Sequence, residues 1–485
     1  MTGLLVAGTT SDAGKSLVTA GICRWLARQG FRVAPFKAQN MSNNSMVCPD
    51  GAEIGRAQWL QARAAGIEPE AALNPVLLKP GGDRRSHVVV LGRPHGTLEA
   101  GEWATGRAGL AEVAFDTLAG LRKRFDIVVC EGAGSPAEIN LRAGDYVNMG
   151  LARRFDLPVV VVGDIDRGGV LAAMFGTLAL LDAEDRALIA GWIVNKFRGD
   201  LNLLRPGLDE LTRRTDRPVL GVLPWLDRVW IDSEDSLATA GWRRGGPASG
   251  RPLRVAAVRF PRASNATDLD ALAAEPGVAV TMTADPDTVS DADIVVLPGS
   301  RATVADLAWL RDRGLADAVL ARAAAGRPVL GICGGYQMLA GAIHDGVESG
   351  AGLVAGLGLL PATVVFGHAK SLATPRTSWR GHEVAAYEIH HGRVAVDASA
   401  EPFLDGCRAG AIWGTTWHGT LENDGFRRAW LTEAARQAGV EWAPTPGAPG
   451  FGQLREAMLD RLADAIADHL DTETLLQLIL HPRET

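Results

Sequence analysis

Residues 8–16 read GTTSDAGKS and follow directly on the apolar run LLVAG (4–8). A glycine-rich loop of this form functions only between a buried strand and the N-terminus of a helix. There, successive backbone N–H groups can converge on a single anion. That placement constrains the first half of the chain to a parallel α/β sheet. The rest of that half agrees: FRVAPFK (31–37), FDIVVCEG (125–132), LPVVVVGD (157–164) and LIAGWIVNK (188–196) alternate with helical stretches. Near-continuous apolar character marks strands covered on both faces, so a doubly wound sheet is expected.

At 485 residues the chain exceeds one ordinary core, and two domains are expected. GWRRGGPASGRP (241–252) breaks the pattern and reads as a linker. A second α/β series then runs through LRVAAVRF (253–260), DIVVLPGS (293–300) and RPVLGICGG (327–335), closing near AIWGTTWHGTLEND (411–424). The expected division is 1–240, linker 241–252, 253–440, and a helical extension 441–485 containing an amphipathic helix around 454–470. With 47% hydrophobic and 22% charged residues the chain is globular. Its net charge of −7 and lack of a basic run argue against nucleic acid as a partner. The apolar stretch around 351–366 is broken by glycines and Pro361, which argues against a membrane span. Five cysteines without CxxC spacing, and a first strand with no basic segment before it, lead us to expect a reduced, cytoplasmic setting without a signal peptide.

The loop places Gly8, Thr9, Gly14, Lys15 and Ser16 at a nucleotide, with Lys15 reaching the outer phosphates and Ser16 oriented toward Mg²⁺. The spacing is one residue longer than the common form. Acids at the carboxyl ends of strands suit the metal, namely Glu131 before GAGSP, and Asp164 and Asp166 in GDIDRGG. Asn195-Lys196 at the end of WIVNK is a candidate for base recognition. In the second half, Cys333 sits between strand PVLGI and helix YQMLAGAI with small neighbours, the setting of a nucleophile elbow. The N–H of Gly334 and a second donor from Pro298-Gly299-Ser300 would face an oxyanion. His418 in TTWHGT is the expected base, with His390 and His391 as rivals. Position 420 is Thr, where many Cys-His glutaminases carry an acid. Glu422, another acid or none therefore orients the ring.

These residues carry a family resemblance. GTTSDAGKS (8–16), FKAQNMSNNS (36–45), LLKPGGDRRSHVVVLG (77–92), CEGAGSPAEINL (130–141), GDIDRGG (163–169), NKFRGD (195–200), LPGSRATVADLAWL (297–310), GICGGYQML (331–339) and YEIHHGR (387–393) resemble the cobyric acid synthases over nearly the whole length. KAQNMSNNS separates them from the sister enzymes that amidate the a and c carboxylates. The resemblance implies a dethiobiotin-synthetase-like P-loop domain followed by a class I glutamine amidotransferase-like domain. It also implies ATP, Mg²⁺, L-glutamine, and a corrinoid substrate, adenosylcobyrinic acid a,c-diamide, whose b, d, e and g carboxylates become amides. For that polyanion, Lys37, Asn40, Lys79 and Arg84, with Arg85 and His87, are candidate contacts. A different ATP-dependent amidase, a partition-type ATPase with a degenerate second domain, and a Cys-His hydrolase regulated by ATP remain alternatives.

Overall fold

A computed structural model describes residues 2–82, 85–99, 108–227, 229, 232 and 251–481. Most of the expected linker and the candidate Arg84 therefore lie outside the described residues. The chain divides into two compact units. Unit 1 is Met1–Ser42, Ala52–Glu234 and Arg455–Thr485, and unit 2 is Asn43–Gly51 and Asp235–Leu454. This differs from the sequence-based division in two places: a short early segment belongs to unit 2, and the C-terminal residues return to unit 1.

The core of unit 1 is a six-stranded parallel sheet. Its strands in chain order are β1 (Gly3–Gly8), β2 (Val33–Phe36), β3 (Ile127–Glu131), β4 (Val159–Asp164), β5 (Ile189–Phe197) and β6 (Val219–Pro224). Their order across the sheet is β6-β5-β4-β1-β3-β2, and every registered pair is parallel. The order reverses direction beside β1, the topological switch point at which α/β sheets bind ligands. Both faces of β1 and β4 are buried throughout, which is why these strands read as unbroken apolar runs rather than alternating ones. Helix α1 (Lys15–Arg28) starts where the glycine-rich loop ends.

In unit 2, β7 (Leu253–Val258), β8 (Val278–Thr283), β9 (Ile294–Leu297), β10 (Val329–Ile332), β11 (Glu401–Phe403), β12 (Gly406–Ala409) and β13 (Ile412–Thr415) form one sheet. Its order is β8-β7-β9-β10-β13-β12-β11. The first five positions are parallel and the last two strands are an antiparallel appendage. The short helix α2 (Gly334–Leu339) follows β10 and is buried along its whole length. The expected fold class, a P-loop α/β unit followed by an amidotransferase-like α/β unit, describes both.

The C-terminal helix Phe451–His469 explains the fate of the extension. It lies against α1, where a side chain at Gly21 would meet Ile466 Cγ1 at 3.0 Å. Arg24 donates to Asp460 at 2.9 Å and Arg28 to Asp464 at 2.6 Å. Deeper in the unit, Asp232 is fully buried between the guanidinium groups of Arg56 and Arg455, which lie 4.8 and 4.9 Å from the Trp59 ring centre. Two guanidinium groups meet one buried carboxylate there, so neutralising it removes that charge from both. We expect Asp232→Asn to destabilise unit 1 by about 3–5 kcal/mol, read as a lower midpoint in urea unfolding. A midpoint equal to that of the unaltered chain would show that the cluster does not hold the C-terminal helix.

Candidate functional site

Unit 1 assembles its chemistry around the end of β1. Gly14 adopts φ 96°, ψ 20°, the left-handed conformation that lets the loop turn into α1. A side chain there would also lie 2.3 Å from Asn195 Nδ2. The Lys15 ammonium donates to the carbonyls of Thr10 (2.8 Å), Ser11 (3.1 Å) and Gly134 (3.1 Å). These bonds place its charge within the loop that starts at Gly8 and Thr9. Ser16 Oγ donates to Glu131 Oε1 at 2.8 Å. Glu131 also accepts from Lys37 Nζ (2.7 Å) and Gln61 Nε2 (2.6 Å). Burial works against its charge, but Lys37 and these hydrogen bonds hold its carboxyl below the usual range. A hydroxyl and a carboxylate in contact are hard oxygen donors. Because Mg²⁺ commonly takes only one or two carboxylates beside substrate phosphates, Ser16 and Glu131 fit that ion.

The remaining candidates in this unit divide between loop support and internal pairing. Asn195 Nδ2 donates to Ala13 O at 2.9 Å, while Lys196 Nζ donates to Asp12 O and to Asp164 Oδ2, at 2.7 and 2.8 Å. Asn195 and Lys196 therefore brace the phosphate loop, and Asp164 is the counter-ion of that brace. Asp164 Oδ1 accepts from the N–H of Asp166. Lys79 is buried against Glu53, and Asn40 donates to Gln58 Oε1 at 3.1 Å. Lys37 and Lys79 thus carry carboxylate partners of their own, and a ligand carboxylate would meet charges already partly compensated. The sequence did not single out Gln61, which lies on the helix Arg56–Ala65, because a lone Gln on a helix carries no motif.

In unit 2, Cys333 occupies φ 50°, ψ −109° between β10 and α2. For a residue with a side chain this is a strained conformation, as at nucleophile elbows. Its N–H is held by Thr415 O at 2.8 Å, and its carbonyl accepts from Gln337 N at 2.9 Å. A side chain at Gly334 would come within 2.7 Å of Ser300 N, and one at Gly299 within 2.9 Å of His418 Cε1. Both expected oxyanion glycines therefore lie at close approaches that exclude side chains.

The fold brings His418 to this turn. Thr415, Thr416 and Asp405 interlock through their side chains and fix the stretch after β13. His418 is 1% exposed and its Nδ1 meets Asp268 Oδ2 at 2.7 Å. Asp268 Oδ1 accepts from Gly419 N at 2.7 Å. Burial alone would discharge the ring. The charge of Asp268, at hydrogen-bonding distance, and that of Cys333 overcome it and lift His418 to about 10. The orienting acid is therefore Asp268 rather than Glu422. It lies 150 positions upstream of the base, where the fixed spacing of a motif gives no signal.

His390 is 3.9 Å from Glu388. Burial and the charge of His418 depress it to about 4, so at neutral pH it is uncharged, and among the described residues no carboxylate hydrogen-bonds its ring as Asp268 does that of His418. His391 Nδ1 lies 3.2 Å from Gly367 O. The other cysteines are buried, and burial pushes Cys130 up to about 12 and raises Cys23 further.

Two expectations follow. Asp268→Asn should slow alkylation of Cys333 by iodoacetamide at pH 7 at least about tenfold, the equivalent of one lost pKa unit; peptide mass spectrometry reads it, and an unchanged rate would remove Asp268 from the site. For His390 the sign is set by its depressed value. The unfolded chain takes up this proton near 6.5 and the folded chain only near 4. Stability is thus lost as pH falls through 6.5 toward 4, and His390→Leu should flatten the slope of Tm against pH over that window. An equal slope in both proteins would count against it.

Comparison with known proteins gives matches to both units. The family model for a CobQ/CobB/MinD/ParA nucleotide binding domain matches residues 4–238, and that for a CobB/CobQ-like glutamine amidotransferase domain matches residues 254–426. A protein named cobyric acid synthase from Cutibacterium acnes is 60% identical over 99% of this chain and 100% of its own length. Proteins of the same name from Frankia casuarinae and Streptomyces avermitilis are 57% and 58% identical, each over 98% of this chain and 96% of its own.

Proposed function

The chain belongs to the cobyric acid synthase family, and from that premise we propose how its residues perform the reaction. The protein is a glutamine-hydrolysing, amide-forming ligase of cobalamin biosynthesis that uses ATP. Its substrate is adenosylcobyrinic acid a,c-diamide, whose b, d, e and g carboxylates become amides to give adenosylcobyric acid. No described helix is long and apolar enough to cross a membrane.

A carboxylate at neutral pH is a poor electrophile. In unit 1 a substrate carboxylate oxygen attacks the γ-phosphorus of ATP, giving an acyl phosphate and ADP, and ammonia then displaces phosphate to leave the amide. The loop N–H groups from Thr9 onward and the Lys15 ammonium stabilise the charge on the transferred group. Ser16 and Glu131 would hold Mg²⁺, which when bound neutralises phosphate charge. Lys37, Asn40 and Lys79, each buried beside a side-chain partner of its own, are assigned to the corrinoid carboxylates. Asn195 and Asp164 keep the loop in shape.

In unit 2 the Cys333 thiolate attacks the glutamine carboxamide. The N–H groups of Gly334 and of the Gly299 turn face the developing oxyanion. His418, held by Asp268, gives its proton to the departing ammonia and then takes one from the water that cleaves the thioester. The observation that carries this reading is the buried Asp268–His418 pair, electrostatically coupled to Cys333 at a strained strand-to-helix turn.

Substitutions at the two centres should separate them. Cys333→Ala is expected to abolish synthesis from glutamine and to spare synthesis from ammonium salt, because the thiolate only releases ammonia. Lys15→Ala is expected to lose about 10²-fold or more with either nitrogen source. Mass spectrometry of the corrinoid product after incubation with ATP and Mg²⁺ reads both. A folded Cys333→Ala protein inactive with ammonium, or a Lys15→Ala protein active with it, would refute the division.

A further inference from the structure

The early segment that belongs to unit 2 bears on the imidazole. The chain leaves unit 1 after Ser42, shortly after Lys37, and rejoins it at Ala52. Both ends are tied within unit 1, by Ser42 N to Leu78 O and Glu53 N to Gly92 O, each at 3.0 Å. Between them, Asn43–Gly51 packs in unit 2, with Asn44, Ser45, Val47 and Cys48 all buried.

Two of its contacts reach the residues that hold His418. Asp268 lies on the single 3-10 turn Ala266–Leu269, which is preceded by Asn265 at φ 50°. The leading N–H groups of such a turn have no partner inside it, and Asn265 does not cap its own turn. The cap comes from the segment instead: Asn44 Oδ1 accepts from Ala266 N at 3.3 Å, and Asn265 Oδ1 accepts from Ser45 N at 2.8 Å. All four bonding groups are buried. On the other side of the ring, Val47 packs against Tyr387 and Ile389. Tyr387 stacks on the His418 ring, with centroids 5.3 Å apart and planes at 24°. Tyr387 and His418 also exchange backbone hydrogen bonds of 3.0 and 2.9 Å.

We propose that Asn44 and Asn265 form a reciprocal clamp that positions Asp268, and through it His418, for proton transfer with Cys333. Val47 completes the arrangement from behind Tyr387. The proposal rests on the assignment of Cys333 and His418 given above. Asn44 is a positioning residue, and the segment that carries it is a working part of the glutaminase centre although it belongs, in sequence, to the nucleotide-binding half. A displacement of the Asp268 turn by a fraction of an ångström misaligns a proton relay without removing any reacting group.

The test measures glutamine hydrolysis and amide synthesis in the full-length protein with ATP, Mg²⁺ and corrinoid substrate. Asn44→Ala is expected to lower kcat for glutamine about tenfold or more, with KM for glutamine within about twofold and synthesis from ammonium salt unchanged. Cys333 alkylation by iodoacetamide should slow in parallel. Asn44→Asp retains the accepting oxygen and should recover most of the loss. Should Asn44→Ala fail to fold, Val47→Ala loosens the Tyr387 side and should slow the same alkylation. Normal kcat and alkylation in a folded Asn44→Ala protein would overturn the clamp. So would an equal loss with glutamine and ammonium, an Asn44→Asp protein as slow as Asn44→Ala, or, in the fallback, normal alkylation in Val47→Ala. Cys333→Ala serves as the control: if it retains synthesis from glutamine, the assignment of the nucleophile fails and not only the clamp.

Discussion

An imidazole with 1% exposure is uncharged unless a fixed anion overturns the cost of burial, and in unit 2 Asp268 supplies it. The rest of the unit is arranged so that this pair persists. The Asp405 cluster fixes the loop that delivers His418, Gly419 N occupies the second Asp268 oxygen, and Tyr387 covers the ring face. Cys333 is then presented at a backbone conformation that its neighbours, not its own preference, impose. An imidazole oriented in this way before a substrate arrives would transfer a proton with little reorganisation cost.

The same logic governs unit 1 with the signs reversed. Glu131 is fully buried yet stays ionised, because Lys37 neutralises it and Ser16 and Gln61 satisfy its oxygens. A carboxylate prepared in this way is available to a cation beside the phosphate loop. The brace of Asn195, Lys196 and Asp164 acts on the loop's carbonyls from the neighbouring strands.

The chain is also less modular than a simple order of two domains. Helix Phe451–His469 carries residues of the C-terminal extension back onto α1, sealed by apolar packing and by pairs such as Arg24–Asp460. The segment Asn43–Gly51 goes the other way and joins unit 2. Neither exchange adds a strand to the six-stranded or the seven-stranded sheet.

Much of this was legible in the sequence. The apolar runs of β1, β3 and β4 and the glycines of GTTSDAGKS specify strand, loop and helix through local rules of burial and backbone freedom. Glu131 could be located because it ends such a strand, and Lys15 and Ser16 because they follow the glycine loop at the start of α1. Cys333 could be placed because its small neighbours allow only a tight turn, and His418 because it follows the next parallel strand of the sheet. The partners of these groups were not legible. Asp268, Gln61 and Asn265 carry no motif, Asn44 lies in the distinctive run FKAQNMSNNS without any sign of its partner, and nothing in LPVVVVGD shows that Asp164 pairs with Lys196. Local patterning fixes where a strand ends, since that depends on adjacent residues. Which side chain satisfies a buried charge depends on segments far apart in the chain, and only the tertiary structure, by excluding water from between them, decides that.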